Sequence, residues 1–291
     1  IYTLTASVED KAGNKTPVKT VTFSVNRFGS NYLFESEPIS SIVTQNQKGS
    51  YPYIKNEFEI VLKEINVDEL QKEMPRITMT KNGTTVELSE DKMDYKVEHT
   101  GGGKKWKARQ WSEYTYYISS SLFSEDALYG VEVFSRDNAG NRNENTEKKA
   151  AIQFTIDKTE PLIIPIDLQN NKQYPLDSKN VKIVVKDNFV TPNVKIYLND
   201  REVQYEAKGE DYFLTIPSAG VKQNLKIEAV DFAGNKKVVT VADFLVSTNI
   251  FVRWYNNLPL FASTLAALAV LVVLAIVLII VKKMKKEEGV Q

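Results

Sequence analysis

The stretch "SVEDKAGNKT" (residues 7–16) sets Asp10, Ala12, Gly13 and Asn14 in a short polar break between apolar, alternating flanks. It returns twice, as "RDNAGNR" with Asp137, Ala139, Gly140 and Asn141, and as "VDFAGNK" with Asp231, Ala233, Gly234 and Asn235. Each copy ends an alternating run: Leu4, Ala6 and Val8; Val131, Val133 and Ser135; Leu225, Ile227 and Ala229. Each is followed by a second run with a shared ending, "VTFSVN" (21–26), "IQFTID" (152–157) and "ADFLVS" (242–247). Alternation of period two on both sides of a glycine-containing break predicts a β-hairpin with one face on a core. Gly13, Gly140 and Gly234 supply the positive φ that a tight loop requires. Asp10, Asp137 and Asp231 accept backbone N–H bonds across it, with Asn14, Asn141 and Asn235 closing the loop.

Asp137 and Asp231 are 94 positions apart, the size of an immunoglobulin-like sandwich. The internal strands agree: "KNVKIVVKD" (179–187) matches "NEFEIVLKE" (56–64), with Val181, Ile183 and Val185 inward opposite Phe58, Ile60 and Leu62. "VKIYLNDREV" (194–203) matches "ITMTKNGTTV" (77–86), where Asn82-Gly83 predicts a two-residue hairpin turn. Two domains with one strand order follow, 27–158 and 159–247. Residues 1–26 then read as the last two strands of an earlier domain, since a lone hairpin cannot bury a core.

These features resemble the bacterial immunoglobulin-like and fibronectin type III-like domains that repeat along cell-surface proteins. The residues that carry the resemblance are the three D-x-A-G-N copies, the preceding Tyr2 and Tyr129, and "FTIDKTEP" (154–161). Gln223 stands where the third copy would have its tyrosine, and "NRFGSNY" (26–32) departs from the Asp and Pro of the other junction. The resemblance implies an all-β chain of tandem sandwiches exposed outside the cell, and no enzymatic activity in this segment. It also allows calcium at loop and junction carboxylates, with Asp137, Asp157, Glu160 and Asp231 as candidate ligands. A hard cation wants six or more oxygens, and no D-x-D-x-D cluster occurs, so the turn reading of these aspartates is the stronger one. No other cofactor is expected.

"LFASTLAALAVLVVLAIVLIIV" (260–281) holds no charge and is long enough to cross a hydrocarbon core of about 30 Å. "KKMKKEE" follows it directly, and the lysine excess predicts a cytoplasmic tail (282–291) with the preceding region outside. Phe251, Trp254 and Tyr255 fall where an interfacial aromatic belt belongs, in a tether spanning 248–259. The fold class expected is therefore tandem immunoglobulin-like β-sandwiches followed by a single C-terminal transmembrane helix. Leu258 and Pro259 resemble the start of a cell-wall sorting signal, L-P-x-T-G. Phe261 and Ala262 replace its Thr and Gly, which favours permanent anchoring over cleavage.

Lys and Arg together number 37, as do Asp and Glu, so nothing global suggests nucleic acid. The chain has no cysteine and one histidine, His99, which removes thiol nucleophiles, disulfides and histidine-clustered metal or catalytic sites. The sequons at Asn14 and Asn82 fall in turns and are too short a motif to carry meaning.

The first full domain exceeds the second by 33 residues, most of them in one insertion between Val86 and Tyr114. It contains "YKVEHTGGGKKWKARQW" (95–111), read as an added hairpin with glycines 101–103 at its tip. Lys104, Lys105, Trp106, Lys107, Arg109 and Trp111 lie on the return strand. Aromatic and cationic side chains together suit a glycan or a protein surface ligand. The competing reading is edge protection, the lysines keeping a strand edge from pairing with another chain. The functional expectation is a membrane-anchored surface stalk with possible adhesion. The alternatives are the spacer of an exported enzyme, or a receptor, which the ten-residue tail disfavours.

Overall fold

The computed structural model describes residues 2–23, 25–72, 75–101 and 111–288, with side chains of the last helix described as far as Met284. The chain divides into two compact units, Ile1–Thr159 and Glu160–Gln291.

In the first unit, β1 (Tyr2–Ala6) and β2 (Lys19–Phe23) form a hairpin with Tyr2 opposite Phe23. The sandwich that follows in the chain is built from β3 (Asn31–Leu33), α1 (Ile39–Gln47), β4 (Tyr53–Ile54), β5 (Ile60–Asn66), β6 (Arg76–Lys81) and β7 (Thr84–Glu87). It is completed by β8 (Tyr95–Gly101), β9 (Ser112–Ile118), β10 (Ala127–Arg136), β11 (Arg142–Glu144) and β12 (Ile152–Ile156). One sheet runs β4-β12-β10-β6-β7, with β11 against β10; the other runs β3-β5-β9-β8.

In the second unit the strands are β13 (Leu162–Ile166), β14 (Gln173–Tyr174), β15 (Ser178–Lys186), β16 (Asn193–Leu198), β17 (Arg201–Glu202), β18 (Glu206–Lys208), β19 (Asp211–Pro217), β20 (Gln223–Val230) and β21 (Lys236–Val246). They form sheets β14-β21-β20-β16-β17 and β13-β15-β19-β18. Position for position this is the order of the first sandwich, an immunoglobulin-like arrangement in which β4 and β14 each pair in parallel with the last strand.

Alternation explains the cores. Ala127, Tyr129, Val131 and Val133 of β10 are buried, as are Leu225, Ile227 and Ala229 of β20. In the first sandwich Phe123, Tyr129 and Phe154 pack ring on ring, with centroids 5.2–5.8 Å apart, and Phe58 joins Phe154 at 5.0 Å. Each fully buried side chain of this kind is worth about 1.5–3 kcal/mol of transfer free energy. Tyr129 also donates its hydroxyl to the Glu125 carbonyl at 3.0 Å, the tyrosine corner of this fold. The second sandwich has Gln223 at that position, paired across the hairpin with buried Phe244. Its Nε2 donates to the Pro217 carbonyl at 3.2 Å, so the corner bond is kept with different chemistry.

Helix α1 is absent from the sequence reading. Ile39, Ile42 and Val43, at helical spacing, are buried in the first core. Near its end Asn46 acts as a peptide mimic on β12, accepting from Gln153 N at 2.7 Å and donating to Gln153 O at 2.9 Å. The helix thereby satisfies backbone groups that a bare sheet edge would expose. Between β5 and β6, Leu70 is buried and bridges to Asp137.

At the C-terminal end α2 (Ile250–Asn256) and α3 (Leu258–Glu288) occupy what the sequence suggested was a tether and a span. Pro259 lies in the first turn of α3, where its missing N–H costs no helix bond. Leu258–Met284 spans 27 residues, within which an 18-residue window reaches a mean hydropathy of 3.3 with none of that window buried. One helix here is thus long and apolar enough to cross a membrane. The segment that resembles a sorting signal is its helical beginning.

Candidate functional site

The three D-x-A-G-N turns share one geometry. In the first, Asp10 Oδ1 accepts from Ala12 N and Asn14 N at 2.9 Å, and Oδ2 accepts from Asn14 Nδ2 at 2.8 Å. In the second, Asp137 accepts from Asn141 N at 2.8 Å and Asn141 Nδ2 at 2.9 Å. In the third, Asp231 accepts from Asn235 N and Nδ2, both at 2.8 Å. Gly13, Gly140 and Gly234 take φ of 87°, 89° and 87°, the left-handed region in which a Cβ is strained. The aspartate and asparagine thus satisfy each other and the loop backbone. These hydrogen bonds hold Asp10 below the usual carboxylate range, the Asn14 side chain contributing most.

The second turn is drawn into a larger polar network. Asn26, just past β2, donates Nδ2 to Asp137 Oδ2 and to Asn66 Oδ1, both at 2.9 Å, while its carbonyl accepts from Asn141 Nδ2 at 2.8 Å. Asn66 Nδ2 reaches Ser30 Oγ at 2.8 Å and Asp137 Oδ2 at 3.3 Å. Ser30 N donates to Asn143 Oδ1 at 2.7 Å, and Asn143 Nδ2 to Ser135 Oγ at 3.1 Å. Ser135 and Tyr116 then donate to the two oxygens of Glu64 at 2.5 and 2.6 Å. Burial pushes Glu64 above its ordinary range against these hydrogen bonds, and nearby Asp137 adds repulsion.

Reading the sequence did not find this network, although a signal was there. Glu64, Asn66 and Ser135 continue the inward phase of Ile60, Leu62, Val131 and Val133, so polar side chains stand where the alternation demands core. Its chemistry is structural: it ties the segment leaving β2 to the end of the sandwich that carries the second turn. Asp137 receives four N–H donors on a carboxylate that has about four acceptor sites. Three of them fall on Oδ2, from Asn26, Asn66 and the Asn141 side chain, and one on Oδ1, from Asn141 N.

The other carboxylates considered for calcium are placed as follows. Asp157 accepts from Thr159 N at 3.2 Å. Glu160 is ion-paired with Lys237 at 2.8 Å. In the second unit Asp231 stands beside Asp187, which sequence reasoning had not singled out. Burial holds Asp187 above the usual carboxylate range, and Asp231 adds to the effect.

The insertion is built differently from the added hairpin that the sequence suggested. β8 pairs with the sandwich's own β9 along its whole length, from Tyr95 opposite Ile118 to Gly101 opposite Ser112. The return strand is therefore Ser112–Ile118, and Trp111 precedes it. The second sandwich has the same pair in short form, with β18 joined to β19 through Gly209 and Glu210. The described part of the insertion thus lengthens an existing edge strand. Gly101 is required where the strand ends: its φ is +80°, and a Cβ would lie 2.0 Å from the Trp111 carbonyl oxygen. Trp111 is 48% exposed. Lys104, Lys105, Trp106, Lys107 and Arg109 lie outside the described residues. His99, on β8, stacks on the Tyr114 ring at 4.2 Å.

The model of a bacterial Ig-like domain family matches residues 1–27. Solved structures similar to this chain include the fibronectin(III)-like modules of Clostridium thermocellum CbhA, at 9% identity and a TM-score of 0.30, over 68% of this chain and 90% of that one. Another is the full Ig1–Ig3 ectodomain of mouse nectin-like molecule 4, at 12% identity and a TM-score of 0.31, over 69% of this chain and 63% of that one. The search of curated proteins found no match. Immunoglobulin-like repeats preceding an apolar C-terminal helix fit a protein anchored at the cell surface.

Proposed function

We propose that the chain is the membrane-anchored stalk of a bacterial cell-surface protein. It spans the membrane once through α3, with the sandwiches outside and the lysine-rich tail in the cytoplasm. The observation that carries this reading is the exposed apolar length of Leu258–Met284 directly after tandem sandwiches. Lys282 and Lys283 at its far end favour the orientation. Protease added to intact cells should release the sandwiches while α3 stays with the membrane. An ectodomain that survives uncut until the cells are opened would contradict the topology.

In this reading residues 1–26 are the closing hairpin of a further sandwich. The family match over residues 1–27 supports this, as do the exposed side chains of Tyr2, Leu4, Val21 and Phe23, apolar residues that elsewhere in the repeat face a core. The stalk then carries whatever lies beyond that sandwich. The same architecture would serve as spacer for an exported enzyme and differs only in what is carried.

Adhesion, to a glycan or a protein surface ligand, is assigned to the connection 102–111, where the first sandwich departs most from the second and where Trp111 is exposed. Trp106→Ala with Trp111→Ala should abolish binding to cell-wall or host glycans without changing the melting temperature. Unchanged binding with a lowered melting temperature would make the tryptophans structural. Calcium enters only as a stiffener near Asp231 and Asp187. A thermal melt unchanged by EDTA and then by excess Ca²⁺ removes it from the account.

A further inference from the structure

The end of the second sandwich that leads into α2 is marked by several bonds. Ala219 N donates to the Val246 carbonyl at 2.8 Å, Ser247 N to Tyr174 O at 3.0 Å, and Thr248 Oγ1 to Asp177 Oδ1 at 3.1 Å. Loops 175–177 and 218–222 therefore flank the exit of the chain, and both show apolar side chains to the outside: Leu176 is 43% exposed and Val221 66%. Lys222 adjoins Val221.

Helix α2 is held on both sides. Gln173 of the sandwich donates Nε2 to the Arg253 carbonyl at 2.9 Å. Trp254 Nε1 donates to Thr264 Oγ1 of α3 at 3.0 Å, and the Trp254 and Tyr255 rings meet Phe261 edge-on at 4.8 and 5.3 Å. Thr264 lies six residues into α3, about 9 Å along its axis at 1.5 Å per residue. Helix α2 thus folds back beside the first two turns of the apolar helix. It leaves Ile250, Phe251 and Tyr255 at 65%, 75% and 66% exposure. Large apolar side chains on a helix tied to the start of a span belong at the boundary of headgroups and acyl chains.

We propose that α2, with the Leu176 and Val221 loops, is a lipid-binding surface that seats the second sandwich on the bilayer. The sandwich is not held off by a free tether. Phe251 and Ile250 enter the headgroup boundary, Val221 and Leu176 rest on it, and Lys222 meets anionic headgroups. The occupant is lipid because the patch is continuous with α3, and the inference rests on the anchoring reading above.

The chain has no cysteine, so single nitroxide labels can be placed cleanly. The full chain is reconstituted in vesicles of phosphatidylethanolamine and phosphatidylglycerol in equal amounts, with labels introduced by Phe251→Cys, Val221→Cys, Val190→Cys and Leu271→Cys. Val190 follows β15, whose nine residues lead about 30 Å away from Asp177, and serves as the aqueous reference. The expected result is a Phe251 label that collides with oxygen several-fold more often than with an aqueous nickel complex. Val221 should fall between Phe251 and Val190, and Leu271 should be fully lipid-exposed. Labels at Phe251 and Val221 as open to nickel as that at Val190, with Leu271 in lipid, would overturn the seat and leave the anchor standing. Leu271 in water would overturn both.

Discussion

Tyr2 and Phe23 face each other across β1 and β2 with ring centroids 5.7 Å apart and planes 20° from parallel. Tyr129 and Phe154 do the same across β10 and β12, at 5.8 Å and 27°. The first pair is 59% and 44% exposed, the second 1% and 0%. Turn, register and ring pair are therefore common to the two copies of the D-x-A-G-N hairpin. What differs is the second sheet, which β3-β5-β9-β8 supplies for Tyr129 and Phe154. A turn motif can mark architecture without stabilising it; burial decides how much each copy matters.

The largest consequence is at the ring pair. Phe154→Ala should destabilise the first sandwich by about 3–5 kcal/mol, a large aromatic truncation in a core. Phe23→Ala should leave both sandwich transitions where they are in denaturant unfolding. Equal effects would show that Phe23 contributes to the folding of the first sandwich.

The same contrast at the turn is smaller. Asp137→Ala leaves four N–H donors, one buried and three part-buried, without their acceptor and should cost about 2–4 kcal/mol. Asp10→Ala, in a fully exposed copy, should not move either transition. If the two substitutions cost alike, the turn would be an autonomous stabiliser and the comparison would fail.

The smallest effect is pH-dependent. Because burial raises Glu64 above its ordinary value of 4.5, the folded protein holds a proton that the unfolded chain has released over a window starting there. Stability from this group is full below that window and falls as pH rises through it. Glu64→Gln should flatten that slope in unfolding curves taken across mildly acidic to neutral pH. A slope unchanged in the variant would locate the titration elsewhere.

Much of this was legible in the sequence because it is encoded over short distances. The turns need only Asp, Gly and Asn in a five-residue frame, and Asn82-Gly83 takes the two positive φ values its dipeptide demands. The apolar helix is a matter of composition and length. Helix α1 was not legible: Ile39, Ile42 and Val43 are few, and Ser, Thr and Asn are poor helix formers. Packing on the core and the Asn46 bonds to Gln153, 107 positions away, hold it in place. The pairing of β8 with β9 was not legible because β18 spans only three residues and so gave no template for β8. The polar network was visible only as inward-phase residues of the wrong chemistry, and nothing local says that Asn26 meets Asp137.

The account stands or falls on which side of a membrane the sandwiches lie. With no native cysteine, Asn138→Cys and Lys283→Cys can each be probed on intact cells with a membrane-impermeant maleimide. The account predicts labelling at Asn138 on intact cells and at Lys283 only once the membrane is opened. Lys283 labelled from outside, or Asn138 silent until lysis, would contradict it.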